Sequence, residues 1–196
     1  FNEGTTTGAT SFWSASNRAT GGSAISYIPE AVWNESTSSG LSAGGGGSTA
    51  FFAKPAWQTG TGVPNDYARN VPDVSLNAAS GHDGYLFCVQ GSCTSGGFRN
   101  AAGNLSVVGG TSVAAPSFAG VLALVQQKIG SRIGNANPMI YALANSTYAP
   151  TIFNDTTTGN NASTCQVGTP DCPNGGSIGY NAGPGYDLAT GWGTIS

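Results

Sequence analysis

A serine follows two glycines and a threonine at Gly109-Gly110-Thr111-Ser112, and Val113-Ala114-Ala115-Pro116 then leads into an apolar run from Phe118 to Val125. A helix starting at this turn would put the Ser112 hydroxyl at the positive end of its macrodipole, where developing negative charge is favoured. The small residues around it leave room for a peptide backbone to approach. Proline at Pro116 suits a first helical turn, where the missing N–H costs least. Two readings are open at this point: Ser112 is a nucleophile, or the Thr-Ser pair merely caps a buried helix.

A second constellation lies towards the C-terminus. Phe153-Asn154-Asp155-Thr156-Thr157-Thr158-Gly159 is followed by Tyr180-Asn181-Ala182-Gly183-Pro184-Gly185-Tyr186-Asp187. Calcium takes six to eight oxygen ligands from carboxylates, main-chain carbonyls and water. A Gly-Pro-Gly turn can aim successive carbonyls inward, Asp187 closes the same loop, and Asp155 supplies the opposing carboxylate. The alternative is two unrelated turns, each aspartate capping its own.

Four cysteines form two close pairs, Cys88/Cys93 and Cys165/Cys172. Two local disulfides are the economical reading and imply an oxidising compartment. Zinc thiolates are the rival, but the spacing does not fit and His82 is the only histidine.

The chain of 196 residues is long enough for one domain with a sizeable core. It has 31 glycines, only 8% charged residues and a formal net charge of −3, without any cluster of Lys and Arg. That balance argues against a nucleic-acid partner. Low charge density is also compatible with acidic surroundings, since little repulsion builds up when carboxylates protonate. The opening Phe1-Asn2-Glu3-Gly4 does not read as a signal peptide. The apolar run from Val113 to Val125 is too short and too interrupted to span a bilayer. The expectation is a mature or excised piece of a secreted protein with no membrane partner. Asn-x-Ser/Thr sequons stand at Asn34, Asn104, Asn145, Asn154 and Asn161.

The elements that must position these residues read as α/β. Val71–Ala78 is expected as a short apolar strand, Asp83–Val89 as a hairpin strand closed by the Cys88/Cys93 loop, and Asn104–Val108 as a buried strand. The helix after Gly110, apolar nearly all round, is expected in the core, with Gly130 ending it. A second helix spans Asn137–Ala144, with Pro138 near its start. Gly40–Ser48 resembles a linker, but Trp33, Phe51, Phe52 and Trp57 flank it closely, which favours a tight turn within one domain. Its glycines could also admit a substrate strand. Beyond Pro150 the chain reads as loops with little apolar periodicity. There is no internal repeat and no visible domain boundary.

Taken together, Gly-Thr-Ser-x-x-x-Pro and the two-part aspartate/Gly-Pro-Gly loop closely resemble the sedolisin family, the serine-carboxyl peptidases. Ser26–Asn34, the glycine-rich turn before Phe51, Lys54-Pro55-Ala56-Trp57-Gln58 and Arg69–Ser75 agree with it. The resemblance spans essentially the whole chain. It implies a subtilisin-like fold, a parallel sheet flanked by helices, of which this chain supplies only the C-terminal part. It also implies one structural calcium ion, secretion, and endopeptidase activity on protein or peptide substrates at acid pH. Carried across, Ser112 is the nucleophile. Asp155 and Asp187 bind calcium through their side chains, and Thr156, Gly183 and Gly185 through their carbonyls. Threonine at position 156 departs from the β-branched aliphatic usual there, which a carbonyl ligand tolerates.

One departure is large. In this family the glutamate and aspartate that activate the serine, and the aspartate of the oxyanion hole, lie well N-terminal to the matched segment. None of Glu3, Glu30, Glu35, Asp66, Asp73 and Asp83 sits in that motif, and Asp73 reads as a turn cap. A serine hydroxyl without an adjacent base is a weak nucleophile, so the chain is expected to need an N-terminal half as partner. A Ser-His-Asp arrangement fits poorly, because His82 stands in the turn Ser80-Gly81-His82-Asp83-Gly84 only about thirty residues before Ser112. From another class, a secreted, calcium-stabilised binding module without catalysis would carry the same aromatics near its glycine-rich loops.

Overall fold

The computed structural model describes residues 12–14, 16, 18–19, 22–38 and 40–196. Phe1–Gly4, read above for a signal peptide, lies outside them, as does the carboxylate of Glu3. The chain forms two compact units, Phe1–Glu30 and Ala31–Ser196. In the first, Trp13 bridges Ala24 antiparallel, and the Ser14 amide donates to the Ser23 carbonyl at 2.8 Å.

Among its described residues the second unit holds eight short strands and three helices. β1 (Gly47–Ala53) pairs antiparallel with β2 (Ala68–Val71), and β3 (Tyr85–Leu86) with β4 (Val107–Val108). β4 runs through Gly109-Gly110 into α1 (Thr111–Ile129), followed by α2 (Asn137–Ala144) and α3 (Ala149–Ile152). β5 (Phe153–Asn154) pairs with β8 (Thr194–Ile195), and β6 (Ser163–Thr164) with β7 (Ser177–Ile178). Among the described residues every sheet is a two-stranded antiparallel ribbon, not a parallel sheet flanked by helices. Parallel pairing needs a crossover that brings a later strand back beside the first. No strand after α1 returns to β4, whose partner is β3.

Several expected elements take other forms. The stretch after β2 is not a strand: residues 72–79 run alongside the C-terminal segment through isolated bonds, Ser75 N to the Gly193 carbonyl and Trp192 N to the Asp73 carbonyl, both 2.9 Å. β4 is not buried, since Val107 is 47% exposed. α1 is not a core helix: none of its residues is fully buried. Phe118 and Leu122, four apart and so on one face, pack against the core, while Leu124 is 67% exposed. α1 is apolar all round, so its composition marks no solvent side, and the contacts made by one face decide. Its end is as expected, with Gly130 left-handed at φ 70° and its amide bonded to the Gln126 carbonyl.

The core forms between the expected second helix and the stretch after Pro150 that the sequence reads as loops. Ala136, Ile140 and Tyr141 around α2 meet Phe153, Tyr186 and Trp192. Tyr141 and Trp192 stack edge to face at 5.8 Å, Tyr186 and Trp192 likewise, and Trp57 lies 5.0 Å from Tyr141. Each such aromatic pair adds about 0.5–1.5 kcal/mol beyond burial. A polar lattice surrounds these rings. Tyr141 Oη donates to Asp73 Oδ1 at 2.9 Å and accepts from Gln58 Nε2 at 2.8 Å, and Arg69 pairs with Asp73. Asp73 is thus a node of this lattice, not a plain turn cap. Burial pushes both the Tyr141 and Tyr186 hydroxyls far above the usual phenol range, so both stay protonated.

The glycine-rich segment is built into this unit, as expected. A Cβ on Gly46 would run into the Leu188 carbonyl, so the backbone there lies directly against the C-terminal segment. The flanking phenylalanines do not pack on it: Phe51 is 90% and Phe52 71% exposed. The β1–β2 register shifts between Ser48 and Ala53, and both faces of this two-stranded ribbon can meet solvent.

Candidate active site

Ser112 is the second residue of α1, whose N-cap Gly110 makes no side-chain capping bond. The helix accordingly opens with amides that no side chain fills, the arrangement that stabilises an anion. Thr111 and Ser112 are both exposed. Ser112 therefore does not act as a side-chain cap, the plainer of the two readings above.

Pro116 lies inside α1, not in its first turn. Because the helix starts at Thr111, the proline falls where its amide would have bonded the Ser112 carbonyl four residues back, and it has no amide to give. Ser117 Oγ bonds the Val113 carbonyl at 2.8 Å in the next register.

Among the described residues no side chain hydrogen-bonds the Ser112 hydroxyl. His82 is 83% exposed and bonds Asp83 Oδ2 at 2.6 Å. That bond, with the Asp83 charge, holds the imidazole above its ordinary range. No Ser-His-Asp triad is formed.

Of the expected metal ligands, Asp155 is joined to Gly185 across two arms of chain, and Gly183 to Asp187 within one arm. Asp155 and Thr156 follow β5, while Gly183, Gly185 and Asp187 precede β8. Gly185 N donates to Asp155 Oδ2 at 2.7 Å, and Gly183 N to Asp187 Oδ2 at 3.0 Å. Asp187 Oδ1 also accepts from the amides of Ala189 and Thr190, at 2.9 and 2.7 Å, and from Thr190 Oγ1. Thr190 is a supporting residue that the sequence reading missed, although Asp-x-x-Thr is the spacing of a side-chain-capped turn. Burial raises the Asp155 carboxyl above its ordinary range and the neighbouring Asp187 charge adds to this, against the Gly185 amide. Asp155 feels the Asp187 charge, and among the described residues neither is ion-paired to a Lys or Arg; carboxylate oxygens are of the type a hard cation takes.

A cavity of about 440 Å³ lies beside this pair, lined by Thr61, Asn145, Phe153, Asp155, Gly185 and Trp192 among others, and not by Ser112. The cysteines are disulfide-bonded as Cys88–Cys93 and Cys165–Cys172, which removes the zinc alternative. Among the described residues no helix is long and apolar enough to cross a membrane.

No family model matches the chain. It is 36% identical over 171 residues to kumamolisin of Bacillus sp. (strain MN-32), and 34% identical over 176 residues to sedolisin of Pseudomonas sp. (strain 101). These matches cover 84% and 88% of the chain. The chain spans only 26% and 25% of those relatives' own length. In three dimensions it is similar to Pseudomonas sedolisin, a serine-carboxyl proteinase solved with two molecules of pseudo-iodotyrostatin. That likeness has a TM-score of 0.63 at 34% identity and covers 92% of this chain and 41% of the other. The paired glycines, the helix opening at Thr111 and the two-armed aspartate loop thus occur in a chain that belongs to the sedolisin family of serine-carboxyl peptidases.

Proposed function

We propose that this chain is the serine-bearing C-terminal part of a secreted, acid-active endopeptidase, in which Ser112 attacks the peptide carbonyl of a protein substrate and forms an acyl-enzyme. The observation that carries this reading is Ser112 itself: an exposed hydroxyl at the second position of a helix with an uncapped N-terminus, in a chain similar to named serine-carboxyl peptidases. The hydroxyl proton must pass to a base as the C–O bond forms, and later reach the leaving amine. With no base against Ser112 among the described residues, the activating and oxyanion carboxylates belong to an N-terminal half of the same precursor. An oxyanion donor alone contributes roughly 100- to 1000-fold in turnover, so with the base missing as well the isolated chain is inactive or close to it.

Asp155 and Asp187, with the carbonyls of Thr156, Gly183 and Gly185, are the residues that would hold a calcium ion. Its contribution is structural: it would neutralise two facing carboxylates and tie the arm after β5 to the arm before β8. Two local disulfides support secretion, since they persist in oxidising compartments.

The bare hydroxyl also favours a second reading for the chain alone, a calcium-stabilised module without catalysis. A peptide-aldehyde or irreversible serine-directed reagent separates the two. In the protein assembled with its N-terminal half, modification at Ser112 and loss of acid peptide hydrolysis on Ser112→Ala are expected. Full activity in Ser112→Ala, or no modification of the wild type, would overturn the nucleophile.

A further inference from the structure

The turn that aims Ser112 rests on one short segment. Gly110 donates its amide to the Ala78 carbonyl at 2.6 Å. At Gly109 a Cβ would stand 2.6 Å from the Ala78 carbonyl oxygen and 2.7 Å from both the backbone nitrogen and Cβ of Ser80. Contacts that close leave no room for a side chain, so the diglycine lies directly on residues 78–80. Gly110 has no side-chain cap to fix it by other means. The position of Ser112 thus depends on where residues 78–80 are held.

Asn77 holds them. Its Oδ1 accepts the Ala79 amide at 3.2 Å, and its Nδ2 donates to the Asp83 carbonyl. The Asp83 amide returns to the Ala79 carbonyl at 3.2 Å, closing the loop from 77 to 83. Ala78, between these bonds, is 5% exposed. The side chain satisfies both ends of a loop that would otherwise be tied at one point.

We infer that Asn77 is a positioning residue for the Ser112 nucleophile, acting through the Ala78 carbonyl and the Gly109-Gly110 turn. The inference rests on the reading of Ser112 as the nucleophile. Asn77 touches no reacting atom. Its effect is on alignment, and displacing a reacting group by about 1 Å can cost roughly 100-fold in rate. A misaligned nucleophile loses turnover while ground-state substrate binding survives, so the loss falls on kcat and not on KM.

Two measurements test this. In the isolated chain, Asn77→Ala should speed hydrogen exchange at the Gly110 amide while Ile140 and Tyr141 in the core keep wild-type protection, which shows that the fold is intact. In the protein assembled with its N-terminal half, Asn77→Ala should lower kcat by roughly 10- to 100-fold with KM unchanged. Asn77→Asp adds a signature that a merely structural residue would not give. A protonated carboxyl can still accept from Ala79 and donate to the Asp83 carbonyl, whereas the carboxylate cannot donate. Its kcat relative to wild type should therefore recover as pH falls. Wild-type exchange at Gly110 in Asn77→Ala, or wild-type kcat with Ser112 still open to serine-directed labelling, would overturn the positioning role. Failure of Ser112 to be labelled in the wild-type assembled protein would instead overturn the nucleophile, and the inference with it.

Discussion

Gly185 donates its amide to Asp155 across thirty residues of sequence, at 2.7 Å. This bond joins the arm that leaves β5 to the Gly-Pro-Gly turn, so one carboxylate oxygen is committed to holding the arms together. Asp187 is committed more heavily, accepting from Gly183, Ala189 and Thr190 of its own loop. The two aspartates are thus unequal probes of the proposed cation site.

Calcium added to the chain should raise its melting temperature, and chelation should lower it and expose the segment after Pro150 to proteolysis. At a hundredfold excess over Kd, a cation binding only the folded state adds about 2.7 kcal/mol. Asp155→Asn and Asp187→Asn should weaken binding by calorimetric titration much more than Thr156→Val, whose ligand is a carbonyl. Asp187→Asn should also destabilise the metal-free chain by disturbing its turn. Equal calcium affinity in all three variants would count against the site. Strong acid should mimic chelation, because protonated carboxyls are poor ligands.

Tyr141→Phe keeps the ring among Trp57, Tyr186 and Trp192 but deletes the hydroxyl that bonds Asp73 and Gln58. Gln58 is 0% exposed, and its amide loses one of two acceptors. A loss of about 1–3 kcal/mol is expected, read as a lower urea midpoint at unchanged slope. Tyr148→Phe, at a side chain 67% exposed, should change stability by less than about 0.5 kcal/mol. A loss below about 0.5 kcal/mol in Tyr141→Phe as well would show that the buried lattice carries no stability.

Gly46→Ala separates a packed turn from a flexible linker. The added Cβ meets the Leu188 carbonyl, whereas at Gly45 it meets nothing within 4 Å. Overpacking against backbone should cost about 1–3 kcal/mol or more, with Gly45→Ala near neutral. Two equally silent substitutions would mean that the segment is a linker after all.

Asp66 gives the pH dependence. Chiefly the Ser48 hydroxyl, helped by Asn70 and Lys54, holds its carboxyl well below the usual carboxylate range. A carboxyl lowered by folding contributes stability above its unfolded pKa of about 3.9, and loses it as pH falls through the folded value. The β1–β2 ribbon should therefore keep this contribution through mildly acid conditions. The melting-temperature gap between wild type and Asp66→Asn should stay open to about pH 3 and close only in stronger acid. A gap that closes by about pH 5 would contradict the assignment.

The sequence by itself determined whatever is written in local chemistry. Gly109-Gly110 before Thr111-Ser112 marks a turn leading into a helix, though not the register of its first turn. Gly130 fixes where it ends, and Pro138 where α2 begins. Cys88/Cys93 and Cys165/Cys172 sit close enough in the chain to pair without help from the rest of the fold. Asp155 and Asp187 each stand beside a glycine turn in the sequence, but the bond that joins their arms, Gly185 to Asp155, belongs to the fold.

The tertiary structure decided what depends on contacts between distant segments. The stretch from Tyr186 to Thr194 has no periodicity to read, yet it supplies Tyr186 and Trp192 to the core, because aromatic side chains held by loops bury as well as those on strands. α1 is apolar on every side, so only Phe118 and Leu122 meeting the core reveal which face turns inward. Its start at Thr111 places Pro116 inside the helix, a matter of register that composition cannot state. Asp73 looks like a turn residue until Arg69 and Tyr141 close on it. Asn77 reads as part of a short apolar strand until its side chain spans Ala79 and Asp83 beneath Gly110. Side-chain partners many residues away are chosen by packing, and packing has no signature in a single sequence.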